Sequence, residues 1–166
     1  MRFPRKLPGM ALTADKFFTA TITSRREFSH DLWAITVNPG GPFTFTAGQY
    51  ATLGADGVSG HVERAYSIVS SPNEPELEFF VELVPEGALT PLLYRLNVGD
   101  RLSLRKAPKG RFLIEIGSSV ADHLFLCTVT GVAPFLSLIR TLARDWREGR
   151  FGRIPGEVEF IPLPGG

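Results

Sequence analysis

The chain has 166 residues, room for one domain or for one domain and part of a second. Hydrophobic residues make up 43% and charged residues 21%, the composition of a globular protein with a core rather than of a disordered chain. Eighteen Lys and Arg against seventeen Asp and Glu leave a formal charge of +1, so no overall field draws nucleic acid or an acidic membrane as a partner.

In chain order, residues 1–15 read as a loose basic leader broken by Pro4, Pro8 and Gly9, with no apolar targeting segment. From Phe17 to about Ile116 short apolar runs alternate with polar residues. Phe18, Ala20 and Ile22 alternate with threonines; Trp33, Ile35 and Val37 form a second run and Leu77, Phe79, Val81 and Leu83 another. A period of two predicts half-buried strands. Runs at 50–53, 62–69, 101–104 and 112–114 bring the set to six or seven. NPGGP (38–42), GADG (54–57) and SPNEP (71–75) supply turn chemistry between them. A small antiparallel barrel or sandwich follows, interrupted by one short helix over 90–96 that Thr90 is placed to cap.

The texture changes near Gly117. Leu124–Cys127 is apolar without alternation, which predicts a strand covered on both faces, with Cys127 as a small buried hydrophobe. Phe135, Leu138, Ile139, Leu142 and Trp146 then repeat at helical spacing behind Pro134, and Val158–Ile161 offers a further strand. Residues 117–166 thus predict a single βαβ unit, an incomplete α/β domain behind the barrel of 16–116. One cysteine excludes a disulfide framework and an iron–sulfur cluster built from this chain alone. His30, His61 and His123 are too scattered to predict a metal site. No run nears the roughly 20 apolar residues of a membrane span, and the expected compartment is the cytoplasm.

Three stretches carry candidate chemistry. Arg64-Ala65-Tyr66-Ser67 sits in an apolar run, where Arg can pair with a phosphate, Tyr can stack on a ring and Ser can bond a ring edge. The same residues also suit a strand whose Tyr fills the core and whose Arg is solvated. Pro85-Glu86-Gly87-Ala88-Leu89-Thr90 leads into the short helix, either as an anion-binding loop or as a simple turn. Thr130-Gly131 marks a strand-to-helix turn, where open α/β sheets bind nucleotides, although many such turns carry Gly.

Together and in this order the three resemble the ferredoxin–NADP reductase family of flavin oxidoreductases. Its Arg-x-Tyr-Ser strand is matched by Arg64–Ser67, its Gly-x-Leu-Ser/Thr loop by Gly87–Thr90, and its nucleotide turn by Val129–Phe135. Gly48-Gln49, Gly99-Asp100 and Gly110-Arg111-Phe112 also fit, so the resemblance runs from about Phe17 to Arg150. It implies a six-stranded antiparallel Greek-key flavin barrel followed by an NAD(P)-binding domain. It further implies FAD as cofactor, with FMN as the lesser alternative, NAD(P)H as hydride donor, and ferredoxin or flavodoxin as electron acceptor. Arg64 would pair with the flavin diphosphate, Tyr66 pack on the isoalloxazine and Ser67 bond near the reacting ring nitrogen, Tyr66 and Ser67 being the residues at the chemistry. Backbone at Ala65, Leu83, Val84, Gly87, Ala88, Leu89 and Thr90 would cradle ring edge and phosphates, and Thr130 and Gly131 would meet the nicotinamide nucleotide.

The chain departs from the family pattern at four points. Val129 replaces a Gly in the nucleotide turn, and Ala47 stands where Pro usually precedes Gly-Gln. The remainder of the nucleotide domain and the C-terminal aromatic that covers the flavin are missing. The ending GEVEFIPLPGG departs from the family's continuation, from which a truncated or frame-shifted product is expected. Two alternatives to a working reductase are a flavin-binding module without turnover and an electron-transfer subunit like that of dihydroorotate dehydrogenase. The lone cysteine opposes the latter's usual cluster. Arg101, Arg105, Lys106, Lys109 and Arg111 form a basic run that either steers an acidic partner or is simply solvated.

Overall fold

The computed structural model describes residues 16–58, 60–113 and 123–150. Six strands form one antiparallel sheet: β1 (Phe17–Glu27), β2 (Leu32–Asn38), β3 (Tyr50–Gly57), β4 (Gly60–Ser67), β5 (Leu77–Glu82) and β6 (Arg101–Arg105). Their order is β4-β3-β6-β1-β2-β5, so β3 with β6 and β2 with β5 are non-sequential neighbours, as Greek-key connections require. The sheet curls until its two edges nearly meet, where Ile68 bridges Phe79. The mainly β architecture expected from the alternation is therefore the fold, in the six-stranded Greek-key barrel form that the resemblance implies.

Alternation decides which side chains fill it. Ala20 and Ile22 of β1, Trp33, Ile35 and Val37 of β2, Leu53 of β3, Phe79 and Val81 of β5 and Leu104 of β6 are sealed from solvent. Each fully buried large side chain of this kind contributes roughly 1.5–3 kcal/mol. Helix α1 (Thr90–Tyr94) closes one end of the barrel by adding the buried Leu93, with Leu89 just before it. Gly48 adopts φ +93°, and a Cβ there would collide with the carbonyl of Phe112, so a glycine lets the 46–49 turn close over the chain after β6.

Behind the barrel come a single 3₁₀ turn (Val129–Val132) and helix α2 (Ala133–Arg147), with Pro134 in its first turn as expected. α2 lies against the connection between β4 and β5. Ser137 donates to the carbonyl of Ser70 at 2.7 Å, Thr141 to Ser71 Oγ at 3.1 Å, and Arg140 pairs with Glu78 at 2.7 Å.

Several expectations fail locally. GADG is the end of β3 rather than a turn, because the hairpin pairs Gly57 with Gly60 and turns one step later. Residues 112–113 form no strand, and Lys109 makes only an isolated bridge to Tyr50. Leu124–Cys127 is not a strand either. No strand among the described residues pairs with it, Leu124 and Leu126 are exposed, and Phe125 stacks on His123 and Phe135. Cys127 is exposed, not buried. The buried face of α2 is Ala133, Ser137 and Leu138, with Trp146 left exposed, because the surface it meets is a polar loop that hydroxyls can satisfy. Of the expected βαβ unit the described residues hold the helix. The leader 1–15 and the strand expected at 158–161 lie outside them.

Candidate functional site

β4 and β5 are the two edges of the curled sheet, and they touch only at their roots. Ile68 bridges Phe79, and Val69 donates to the Glu78 carbonyl at 2.9 Å. Beyond that point pairing stops. Continued, the same antiparallel register would set Tyr66 opposite Val81 and Arg64 opposite Leu83. Instead the strands part, leaving Arg64, Ala65, Tyr66 and Ser67 on one lip of a gap and Leu83 and Val84 on the other.

Cross-strand partners fix which way the β4 side chains face. Arg64 lies opposite Leu53 and Tyr66 opposite Ala51, both fully buried, so Arg64 and Tyr66 share the core side of the strand. Tyr66 packs half-buried on the core. Arg64 emerges exposed at the lip, where Nη1 donates to the neighbouring Glu63 carbonyl at 2.7 Å. Among the described residues it pairs with no carboxylate, so its charge is open to an anion. Ala65 and Ser67 take the opposite face, and Ser67 Oγ makes no hydrogen bond among the described residues. Burial pushes the Tyr66 phenol up to about 12 against the opposing pull of Arg64. Near neutral pH it is a neutral surface and hydrogen-bonding group, not a proton donor.

The second lip continues into a closed loop. Thr90 Oγ1 accepts from the Val84 N–H at 3.0 Å and donates to the Val84 carbonyl at 3.1 Å, while Gly87 N–H donates to the same carbonyl at 2.8 Å. Thr90 is thus not the cap expected; the cap position belongs to Leu89 and has no side-chain bond. A Cβ on Gly87 would lie 2.9 Å from the Val84 oxygen, so the loop closes only around glycine. Among the described residues the backbone N–H groups of Ala88 and Leu89 donate to no acceptor. Two free amides and an unpaired guanidinium suit a phosphate, and the half-buried phenol beside a gap between strands suits a flat ring.

Thr130 and Gly131 lie in the 3₁₀ turn beside β5, Thr130 half-buried and Gly131 exposed. Val129 holds φ +42°, the left-handed region that a β-branched residue enters only under strain. The polar seam of Ser137 and Thr141, which joins this turn's helix to the residues just after Ser67, was not foreseen. Its signal was two hydroxyls four apart on one helical face.

Other clusters serve structure. Asp56 Oδ1 stands 2.8 Å from His61 Nδ1, and His61 Nε2 stands 3.0 Å from Ser103 Oγ, the connectivity of a hydrolytic triad. A Cβ on Gly54 would fall 2.6 Å from both His61 Nε2 and Ser103 Oγ, so that glycine makes room for the contact. Two clefts of about 500 and 210 Å³ lie along α2, away from these residues. The cluster ties the β3–β4 hairpin to β6. In the basic run, Arg105 pairs with Glu63, which holds its guanidinium above its ordinary pKa, and packs on Phe17, while Lys106 lies over Phe18. Arg101, Lys109 and Arg111 stay exposed. Among the described residues no three His, Cys, Asp or Glu converge as a metal site, and no helix is long and apolar enough to cross a membrane.

Comparison with known proteins falls on the same stretch. The family model for the oxidoreductase FAD-binding domain matches residues 19–114, which take in β2 to β6 and all but the first two residues of β1. A flavodoxin/ferredoxin–NADP reductase of Escherichia coli is 34% identical over 153 residues, covering 87% of this chain and 60% of that protein. A ferredoxin–NADP reductase of Pseudomonas aeruginosa is 37% identical over 126 residues, covering 74% and 48%. A ferredoxin NADP+ reductase structure from Neisseria gonorrhoeae, solved with bound FAD and NADP, superposes with TM-score 0.73 at 31% identity, covering 80% of this chain and 54% of that one. This chain therefore spans about half to three fifths of the length of these relatives. With the family model matching more than half of the chain and these relatives more than 30% identical to it, the chain belongs to the oxidoreductase FAD-binding domain family, within its ferredoxin–NADP reductase group.

Proposed function

We propose that the chain binds FAD in the gap between β4 and β5 and acts as the flavin half of an oxidoreductase. The exposed Arg64, unpaired among the described residues at the point where the edge strands part, carries this reading. Bound there, FAD supplies the exchange of electrons between a nicotinamide donor and a one-electron acceptor. Arg64 and the amides of Ala88 and Leu89 hold the diphosphate. Tyr66 offers its ring face and Ser67 its free hydroxyl to the isoalloxazine, while Leu83 and Val84 line the opposite edge. Thr130 and Gly131 receive the nicotinamide nucleotide, and ferredoxin or flavodoxin takes the electrons, steered to the exposed Arg101, Lys109 and Arg111.

Val129 favours a second reading, a flavin-binding module with slow NAD(P)H turnover. Its left-handed strain sits at the turn that must approach the nucleotide, and binding energy lost there lowers rate as well as affinity. The absorption spectrum of the purified chain tests the first reading: bound flavin released by heat as FAD is expected, and failure to take up flavin on reconstitution rejects it. Anaerobic stopped-flow with NADPH separates the two. Flavin reduction that does not saturate below millimolar NADPH is expected of the module, and saturation at micromolar NADPH of the working reductase.

A further inference from the structure

We propose that Arg25 is the positioning residue for the phosphate-binding loop, acting through helix α1. The proposal rests on the FAD reading above and deepens it.

Arg25 lies on β1, and its side chain is only 12% exposed. Its Nη1 donates to the carbonyls of Tyr94 and Leu96, at 3.0 and 2.9 Å, which are 69 and 71 residues further along the chain. Those carbonyls end α1, where backbone acceptors have no partner within the helix and a cation is favoured. The guanidinium lies 5.0 Å from the centre of the Trp33 ring and 5.3 Å from that of Tyr94, two rings that meet edge to face at 5.4 Å, and Nη2 pairs with Glu27 at 3.3 Å. The charge and both Nη donors of the planar fork are used, beside two aromatic rings, which lysine cannot reproduce.

α1 has five residues and no side-chain cap at its start, too short to stand alone. Buried Leu89 and Leu93 hold it down on the core, but apolar contact leaves sliding and roll weakly defined. Arg25 fixes both at the far end. At the near end Thr90 grips Val84 through two bonds and closes the loop that presents the Ala88 and Leu89 amides. The helix is therefore a strut, about 7.5 Å long at 1.5 Å per residue, between the Arg25 clamp and the loop.

The test compares two ligands on the full chain. FAD and riboflavin share the ring system, and only FAD carries the diphosphate. Arg25→Met keeps the stem and removes the clamp. Flavin-fluorescence titration is expected to show FAD bound about tenfold more weakly while riboflavin stays within about twofold. Arg25→Lys is expected to fall between, with about a threefold loss confined to FAD, and it carries the test should Arg25→Met not fold. FAD affinity unchanged in a folded variant, or equal losses for both ligands, overturns the proposal and leaves the FAD reading intact. Failure of the unsubstituted chain to take up FAD overturns both.

Discussion

The barrel and the segment 123–150 are held by different means. In the barrel, Trp33, Ile35, Phe79 and Leu104 are sealed from water by strands on every side. In the segment, Leu124, Leu126, Val129 and Trp146 remain exposed, and order comes from α2 borrowing polar partners on the β4–β5 connection. One region generates its own core; the other is fastened to a finished surface. On the proposed function, the binding chemistry that needs rigid placement falls at the barrel edge, while the turn proposed for the nucleotide sits on the more weakly built part.

The contrast can be broken most forcefully in the core. Phe79→Ala should lower unfolding free energy by about 3–5 kcal/mol in denaturant titration, whereas Leu126→Ser should stay within about 0.5 kcal/mol. Comparable losses would mean that the segment has a core of its own. Next in size, Arg64→Ala should weaken FAD by about one to two decades, matching roughly 1.5–3 kcal/mol for charge-assisted bonds. Arg101→Ala, on β6 with β3 between it and β4, should leave FAD affinity unchanged in the same titration. Ser137→Ala leaves the buried link to the Ser70 carbonyl unmade and should cost about 1–3 kcal/mol. Hydrogen exchange should then rise along α2 while the β2 amides stay protected; a uniform rise would show the two regions unfolding together.

Val129→Gly should stabilise by about 1 kcal/mol, the relief of left-handed strain less the entropy of glycine. A lower melting temperature would show that the side chain packs favourably despite its backbone. The last effect is absent at neutral pH. The folded pKa of Tyr66 is raised above its unfolded value, so its contribution is complete below about pH 10 and is lost as pH rises through about 12. Stability of the flavin-free protein should fall across that window, and Tyr66→Phe should flatten the fall.

Legibility in the sequence follows the same division. Strands β1, β2 and β5 were readable because alternation is a local property, and a buried residue declares its face two positions either side. The apolar run 124–127 misled because a strand exists only when another strand pairs with it, and no local pattern reports the partner. Arg64 and Tyr66 were readable from type and order, and their shared face followed once β3 gave the register. Thr90 reads as a helix cap, yet its hydroxyl is taken by Val84, a choice between two nearby backbone sites that propensity does not decide. Arg25 was invisible, since the carbonyls it holds lie 69 and 71 residues away and carry no motif.

The parting of β4 from β5 has a consequence beyond recognition. Two edge strands with unpaired backbone groups are templates for another chain's strand, and proteins ordinarily blunt such edges with charge, bulges or a cover. Here the edges face each other across a slot too wide for mutual hydrogen bonds beyond Ile68 and Phe79. Whatever fills the slot also shields them, so the occupant doubles as protection against intermolecular strand pairing. On the proposed placement of the flavin, colloidal behaviour and cofactor occupancy are tied to one structural feature, and the flavin-free chain is the form expected to aggregate most readily.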